Sequence, residues 1–221
     1  MPPPRQPAGT DRATLGRAAG TLGLELSDSQ AEALLAYLAL LAKWNRVYNL
    51  SAVRDPAAML VQHVVDSLAV VAPLRREIGS RSVRLLDVGS GAGLPGVVLA
   101  VAMPELDVTC IDAVGKKAAF VREVAGELGL KNLHAVHGRV EQLQTAAFDI
   151  ITSRAFASLA DFVALTRRLC GAQTLWMAMK GRVPAEELAA LPEGIRLFHV
   201  ELLKVPGLDA ERCVVWLQEK Q

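Results

Sequence analysis

The ten residues Asp87-Val88-Gly89-Ser90-Gly91-Ala92-Gly93-Leu94-Pro95-Gly96 decide the fold of this 221-residue chain. They end a β-rich apolar run that starts at Val83, and they precede a helical pattern that continues to about Met103. A glycine-rich loop between a strand and a helix lets the backbone approach a ligand closely at the start of the helix. The stretch therefore predicts a βα unit of a parallel sheet with a ligand at this loop.

Further βα units follow this loop along the chain. Four more β-rich runs, each followed by a helical or loop segment, lie at residues 107–111, 133–136, 148–152 and 174–179. The last two runs, residues 195–203 and 213–217, are joined by a turn at Pro206-Gly207 with no room for a helix, so we expect an antiparallel hairpin. Five βα units closed by a C-terminal hairpin predict an α/β, mostly parallel Rossmann-like sheet, the layout of the class I S-adenosylmethionine methyltransferase fold.

The pattern before residue 80 is helical throughout. Ser27 and Gln30 form a capping-box signature that opens a helix to about Trp44, and Asp55 with Pro56 opens another that we expect to end at Pro73. A shorter helix is expected over residues 11–22. The chain is thus divided into a disordered tip (1–10), an N-terminal helical region (11–80) and a methyltransferase domain (81–221).

Composition excludes several classes of protein. Apolar residues make up 52%, charged residues 21%, and the net charge is +1, which excludes global disorder and a strongly basic binder of nucleic acid. Residues 1–84 hold 10 Lys and Arg against 7 Asp and Glu, so the N-terminal helices and the arginines near residue 80 are the expected RNA-facing surface. Three scattered cysteines, no long apolar run and no signal core predict a cytoplasmic protein without metal or membrane span.

The glycine loop satisfies two ligand patterns. Gly91 to Gly96 fits the G-x-G-x-x-G of dinucleotide-binding proteins, so an NAD(P)-dependent oxidoreductase stays open. However, Asp87 ends the strand and the loop carries no Lys or Arg. These features favour a ligand with a sulfonium and an ammonium over a pyrophosphate, with Gly89, Gly91 and Gly93 at the cofactor. Asp112, at the end of the second strand, can accept the ribose hydroxyls of either ligand.

Two later loops complete the predicted edge of the sheet. Val140 and Glu141 follow the third strand, where an amide and an acceptor can recognise adenine. Arg154 follows the fourth strand, where methyl acceptors usually sit in this fold. The Asn-Pro-Pro-Tyr type sequence of amino-directed enzymes is missing there, and Arg154 instead offers a forked donor to a carboxylate, phosphate or guanine.

Several separated motifs resemble one bacterial family, the RsmG (GidB) proteins. Trp44-Asn45 through Asn49-Leu50-Ser51, then His63 with Asp66-Ser67, is similar to the family's "WNxxxNLT … HxxDS" opening. The loop from Asp87 to Gly96 is similar to its motif I, including the Leu-Pro-Gly tail. Its later motifs are matched at residues 115–117, 138–141, 153–159 and 180–181. The resemblance covers roughly residues 22 to 217.

The resemblance implies a methyltransferase that acts on N7 of a guanosine in 16S ribosomal RNA, with S-adenosylmethionine as cofactor and the RNA or the small-subunit particle as partner. The cofactor contacts of the family match Gly89, Leu94, Val140, Glu141 and Arg154. Because guanine N7 carries a free lone pair, we expect no general base, and Arg154 is the candidate catalytic residue. A non-catalytic RNA-binding module on this fold stays open.

Two departures from the family pattern and one pair of residues complete the sequence-based picture. Gln62 stands where a basic residue is expected, and Ser51 replaces a common threonine. His63 and Asp66 lie three apart on a helix, which favours a hydrogen-bonded pair at the domain interface over a catalytic pair.

Overall fold

A computed structural model describes residues 8–154, 156 and 158–220, with the backbone alone for residues 8–10. The expected disordered tip therefore lies mostly outside the described residues. Its last three residues belong to the first helix, which begins at Ala8 and not near residue 11. For residues 1–7, which lie outside the described residues, the disordered tip remains a prediction.

The N-terminal region is helical, as its periodicity predicts. Its segments are α1 (Ala8–Thr21), α2 (Asp28–Tyr48), α3 (Pro56–Met59), a π-helical turn (Leu60–Val65), α4 (Asp66–Leu68) and α5 (Val71–Ile78). The capping box at the start of α2 is confirmed: the Gln30 amide donates to Ser27 Oγ at 3.2 Å, and the Ser27 amide donates to Gln30 Oε1 at 2.9 Å.

The expected helix end at Pro73 is wrong. Pro73 lies in the first turn of α5, where a missing amide hydrogen costs no helical hydrogen bond. The preceding helix is also not uniform, because it widens into the π-helical turn before α4. Such insertions are frequent at functional sites, and this one carries His63 and ends directly before Asp66.

The helical stretch Pro56–Ile78 is long and apolar enough to cross a membrane, by length and composition alone. The sequence of this stretch contains no long uninterrupted apolar run, because polar residues such as Gln62, His63 and Asp66 lie within it. Of its most apolar window, 72% is buried inside the protein. That burial is what a core helix shows, and the stretch packs within the fold here.

The described strands form one seven-stranded sheet in the order β3–β2–β1–β4–β5–β7–β6. The strands are β1 (Val83–Val88), β2 (Leu106–Asp112), β3 (Leu133–His137), β4 (Phe148–Ser153), β5 (Cys170–Lys180), β6 (Ile195–Leu203) and β7 (Arg212–Glu219). The first five are parallel, whereas β7 runs antiparallel to both β5 and β6. The predicted α/β fold with a C-terminal antiparallel hairpin is confirmed.

Helices cover both faces of the sheet. Those that follow β1 are α6 (Gly96–Ala102), α7 (Gly115–Glu127), α8 (Leu159–Thr166) and α9 (Ala185–Ala189). Alternating residues of β1 point to opposite faces, so Leu85 joins the cluster under α6 and α7 while Leu86 joins the cluster under α8. Parallel sheets need this cover on both faces.

The N-terminal helices share their core with the sheet. Leu15 of α1 and Leu34 of α2 belong to the same continuous buried cluster as Leu85 of β1. The Trp44 ring lies 5.4 Å from that of Phe120 on α7. The change of pattern near residue 80 therefore marks a change of secondary structure within one packed core.

Candidate functional site

Three cavities lie among the described residues that follow the parallel strands, and two of them are lined by predicted site residues. The β1–β3 cavity, of about 290 Å³, is lined by residues that follow the first three strands. The β4–β5 cavity, of about 360 Å³, is lined by residues at the ends of β4 and β5 and by the N-terminal helical segment. Ligands of open parallel sheets bind at the carboxyl ends of the strands.

The β1–β3 cavity has mostly apolar walls. Four predicted cofactor residues line it: Gly89, Asp112, Val140 and Glu141. The other lining residues are Val88, Ile111, Ala113, Gly138, Arg139, Phe156 and Leu165. An apolar slot with few polar groups is typical of small-molecule sites, and the carboxylates of Asp112 and Glu141 are two of the few polar groups of this one.

The glycines of the loop play different parts. Gly89 has a φ of +66°, and a Cβ built on it would meet no atom within 4 Å, so the position is open. Gly93 is closely packed, since a Cβ there would lie 2.3 Å from a methyl carbon of Val97. The Leu94 side chain is buried in the core. Gly89 lines the cavity, whereas Gly91, Gly93 and Leu94 do not.

Asp112 braces the glycine loop as well as lining the cavity. Its Oδ2 accepts a hydrogen bond from the Gly91 amide at 2.9 Å, and its Oδ1 accepts one from the Val114 amide at 2.8 Å. The Lys117 ammonium lies 3.6 Å from Oδ2. A carboxylate oxygen has a second lone pair, so Asp112 can still accept from a ligand hydroxyl.

Asp87 is fully buried beneath the loop. Its Oδ2 accepts from the Gly96 amide at 2.8 Å, while Oδ1 has no partner among the described residues. Burial raises the pKa of Asp87 to about 7, and the Gly96 hydrogen bond and the charge of Arg154 offset only part of that rise. A Cβ on Gly96 would lie 2.9 Å from Asp87 Oδ2, which explains the glycine there. Asp87 thus fixes the start of α6.

Val140 and Glu141 form a 3₁₀ turn directly after β3 at the mouth of the β1–β3 cavity. The Val140 carbonyl accepts a hydrogen bond from Arg168 at 2.7 Å, whereas Glu141 is exposed. The exposed carboxylate and the buried Val140 side chain are positioned beside any ligand in the cavity.

Arg154 lies at the β4–β5 cavity and does not line the β1–β3 cavity. Its Nη1 donates to the Gln62 carbonyl at 2.9 Å and to Asp66 Oδ2 at 3.3 Å. Lys180 and Arg212 line the same cavity. The structure therefore gathers three cations and one carboxylate where the acceptor of a transferred group would sit.

His63 and Asp66 do not form the expected hydrogen bond with each other, because each has another partner. His63 Nε2 lies 2.7 Å from Ser51 Oγ, and Asp66 pairs with Arg154 and Arg212. Burial and the nearby Arg154 charge lower the pKa of His63, so its ring is neutral near pH 7. Both residues line the β4–β5 cavity.

The four arginines near residue 80 also contact their own chain, while the Arg76 side chain remains 57% exposed, so the expected RNA-facing surface stays a prediction. Arg75 donates to a carbonyl at the end of α6, and Arg76 pairs with Glu201 of β6. Arg81 donates to carbonyls of α5, and Arg84 donates to carbonyls of residues 146 and 147.

Sequence reasoning missed several wall residues. Phe156 lies within the family motif at residues 153–159, no role was predicted for it, and it lines the β1–β3 cavity with its ring 5.2 Å from that of Phe162. Its position two residues after Arg154 was the available signal. Arg212 had no signal, since only packing of β7 beside β5 brings it to the β4–β5 cavity.

The three cysteines are free thiols in the structure, with Cys110 and Cys213 buried and Cys170 half-buried. Within residues 8–154, 156 and 158–220, no group of three or more His, Cys, Asp or Glu side chains could hold a metal ion. The absence of a metal site remains a prediction for the whole chain.

Comparison with solved structures agrees with the fold. A methyltransferase from Aquifex aeolicus described as S-adenosylmethionine-dependent superposes with a TM-score of 0.53 at 20% identity, covering 74% of this chain and 93% of that one. A similarly described protein from Geobacter sulfurreducens, in complex with S-adenosylhomocysteine, gives 0.54 at 15% identity, covering 70% and 90%. At these identities the likeness concerns the fold alone.

Comparison of sequences is more specific. The family model described as rRNA small subunit methyltransferase G matches residues 30–215. A protein of Methylibium petroleiphilum named ribosomal RNA small subunit methyltransferase G is 61% identical over 93% of both chains. The protein of that name from Leptothrix cholodnii is 60% identical, covering 95% of this chain and 96% of its own. With matches of this extent, the chain belongs to the rRNA small subunit methyltransferase G family.

Proposed function

We propose that this protein transfers a methyl group from S-adenosylmethionine to N7 of a guanosine in 16S ribosomal RNA. The observation that carries the proposal is the match to relatives named ribosomal RNA small subunit methyltransferase G, at 60–61% identity over almost the whole chain. The protein acts on the RNA or on the small-subunit particle, in the cytoplasm.

The β1–β3 cavity fits the cofactor in its chemistry. Its apolar walls suit adenine, with Val140 and Glu141 beside it, and the Asp112 carboxylate suits the ribose hydroxyls. Gly89 leaves space that a side chain would fill. Gly91, Gly93 and Leu94 support the loop without touching the cofactor. The Gly91 amide donates to Asp112, Gly93 packs against Val97 of α6, and the Leu94 side chain is buried in the core. When bound, S-adenosylmethionine supplies a methyl group on a sulfonium sulfur.

The β4–β5 cavity is the place for the acceptor. Arg154 holds the guanine or its nucleotide there with the forked donors that suit guanine O6 and phosphate. Guanine N7 is unprotonated at neutral pH, so no side chain has to remove a proton from it. The chain's own contribution is to orient the two reactants, and orientation alone can raise a reaction rate by several orders of magnitude.

Methyl transfer to isolated small-subunit particles tests the proposal. Particles from cells that lack the gene should gain one methyl group per 16S rRNA from labelled cofactor, and mass spectrometry should place it on N7 of a guanosine. Particle binding without methyl transfer would indicate a non-catalytic module, and binding of NADH without S-adenosylmethionine would indicate an oxidoreductase. A methyl group on another atom would contradict the assigned substrate.

A further inference from the structure

Asp66 joins the N-terminal helical region to two arginines of the sheet edge. Its side chain is only 3% exposed. Oδ2 lies 3.3 Å from Arg154 Nη1, which follows β4, and Oδ1 lies 2.7 Å from Arg212 Nε, which starts β7. One carboxylate thus fixes two guanidinium groups that are far apart in sequence and both line the β4–β5 cavity.

Each arginine keeps donors for a ligand. Within residues 8–154, 156 and 158–220, Arg154 uses only Nη1, on Gln62 and Asp66. Arg212 uses Nε on Asp66 and Nη1 on the Glu211 carbonyl. Among the same described residues, no hydrogen bond involves Nη2 of Arg154, Nη2 of Arg212 or Nε of Arg154. A guanidinium held on one edge presents its other edge in a fixed direction.

Charge alone does not account for a carboxylate in this cavity. RNA is a polyanion, and its binding is driven by cations that neutralise phosphates. A negative group among Arg154, Lys180 and Arg212 weakens that attraction. Asp66 is therefore explained by the geometry it imposes, since donors that are already in place need no reorganisation as the reaction proceeds.

We propose that Asp66 is a positioning residue for methyl transfer, which holds Arg154 and Arg212 so that their free donors orient the acceptor nucleotide. The inference rests on the proposed function. It assigns to the N-terminal helical region a direct part in shaping the acceptor cavity.

The first test is Asp66→Asn, which keeps the size of the side chain and removes its charge. Steady-state methylation of small-subunit particles should show kcat reduced at least tenfold. KM for the particle should not rise, because the lost charge is negative. Affinity for S-adenosylhomocysteine, measured by titration calorimetry, should stay within twofold of the native value, because Asp66 does not line the β1–β3 cavity.

A matched control removes another ion pair between the same two parts of the chain. Glu201 of β6 pairs with Arg76 of α5, and neither residue lines the β4–β5 cavity. Glu201→Gln should keep the native kcat. An equal loss of kcat in Glu201→Gln and Asp66→Asn would show that any break between helices and sheet is harmful, and would overturn the inference.

Two further variants separate positioning from stability. Asp66→Glu keeps the charge and moves the carboxylate by one methylene, so kcat should still fall severalfold although the melting midpoint is retained. Because Asp66 holds Arg154 as well as Arg212, Asp66→Asn combined with Arg212→Gln should lose more kcat than either single variant but less than the product of the two single losses.

Native kcat in Asp66→Asn or Asp66→Glu, a rise in KM alone, or losses that multiply in the double variant would each contradict the inference while leaving the proposed function intact. A native protein that transfers no methyl group to the particles would contradict the proposed function and, with it, this inference.

Discussion

Gly89 is the residue at which backbone conformation and ligand space coincide. Its φ of +66° lies in the left-handed region, and no atom stands within 4 Å of where a Cβ would be. Any other residue there strains the backbone by about 1–2 kcal/mol and fills space at the β1–β3 cavity. The two effects can be separated, because other glycines share the strain without the cavity.

Gly89→Asp should fold and lose S-adenosylhomocysteine. We expect the affinity to fall at least a hundredfold in titration calorimetry, because the side chain occupies the cavity and adds charge near Asp87. Gly129→Asp is the control, since Gly129 has a φ of +64°, equally open surroundings and a place in the loop after α7. It should show the same small loss of stability with native affinity. Native affinity in Gly89→Asp would remove the loop from the cofactor site.

The buried carboxyl of Asp87 should make the stability of the protein depend on pH. Because burial raises the pKa of Asp87 from 3.8 to about 7, the folded state binds more protons than the unfolded state between these values. The free energy of unfolding therefore falls as pH rises from about 4 to 7. The native protein loses about 1.4 kcal/mol of stability for each pH unit in this window. The free energy of unfolding of Asp87→Asn, relative to that of the native protein, should therefore rise by up to about 4 kcal/mol between pH 4 and pH 7.

Urea unfolding of both proteins from pH 4 to 8 checks this expectation, because titration of all other groups cancels in the difference. A difference in stability that stays constant over the range would show that folding does not raise the pKa of Asp87.

At the scale of elements, α2 holds the glycine loop from outside the sheet. The hydroxyl of Tyr37, which is fully buried, donates to the Ala92 carbonyl at 2.8 Å. Burial raises the pKa of Tyr37 far above its ordinary value, so the hydroxyl keeps its proton and remains a donor. The N-terminal helices thus take part in shaping the loop that follows β1.

Tyr37→Phe should destabilise the protein by about 1–3 kcal/mol, because it leaves a buried carbonyl without a partner. It should also weaken S-adenosylhomocysteine binding severalfold, since the loop loses a tether. Tyr48→Phe is the control: Tyr48 ends α2, is 43% exposed, and its hydroxyl has no hydrogen bond to any described residue. Equal stability of both variants in thermal melts would show that the Tyr37 tether contributes nothing.

At the scale of the whole molecule, the helices and the sheet melt as one unit if the core is continuous, as the shared cluster indicates. A ligand that binds only the folded state then stabilises the entire chain. At a hundredfold excess over Kd the gain is about 2.7 kcal/mol. For a chain of 221 residues this corresponds to a rise in melting midpoint of roughly 5–10 °C.

S-adenosylhomocysteine should therefore raise the midpoint by that amount in a single transition, and NADH at the same concentration should not. Differential scanning calorimetry measures both the shift and the number of transitions. A shift with NADH alone would favour the oxidoreductase interpretation. Two transitions, of which only one responds, would show that the regions on either side of residue 80 are stabilised separately.

The sequence by itself determined the elements and their order. The capping box at Ser27, the strand before Asp87 and the turn at Pro206-Gly207 each depend on residues within a few positions of one another, and each has the predicted effect in the structure. A local pattern that is compatible with two structures gave a wrong prediction. Pro73 can follow the end of one helix or lie in the first turn of the next, and the structure has it in the first turn of α5.

Tertiary structure alone decided which side chains meet. His63 and Asp66 lie three apart and line one cavity, yet their partners come from Ser51, Arg154 and Arg212. Gly93 and Leu94 belong to the loop motif but face the core, because the loop must also pack on α6. Such contacts depend on how sheet and helices stack. A carboxylate can bridge two arginines 58 positions apart in sequence only when β4, β5 and β7 lie side by side and Asp66 of α4 reaches both of them.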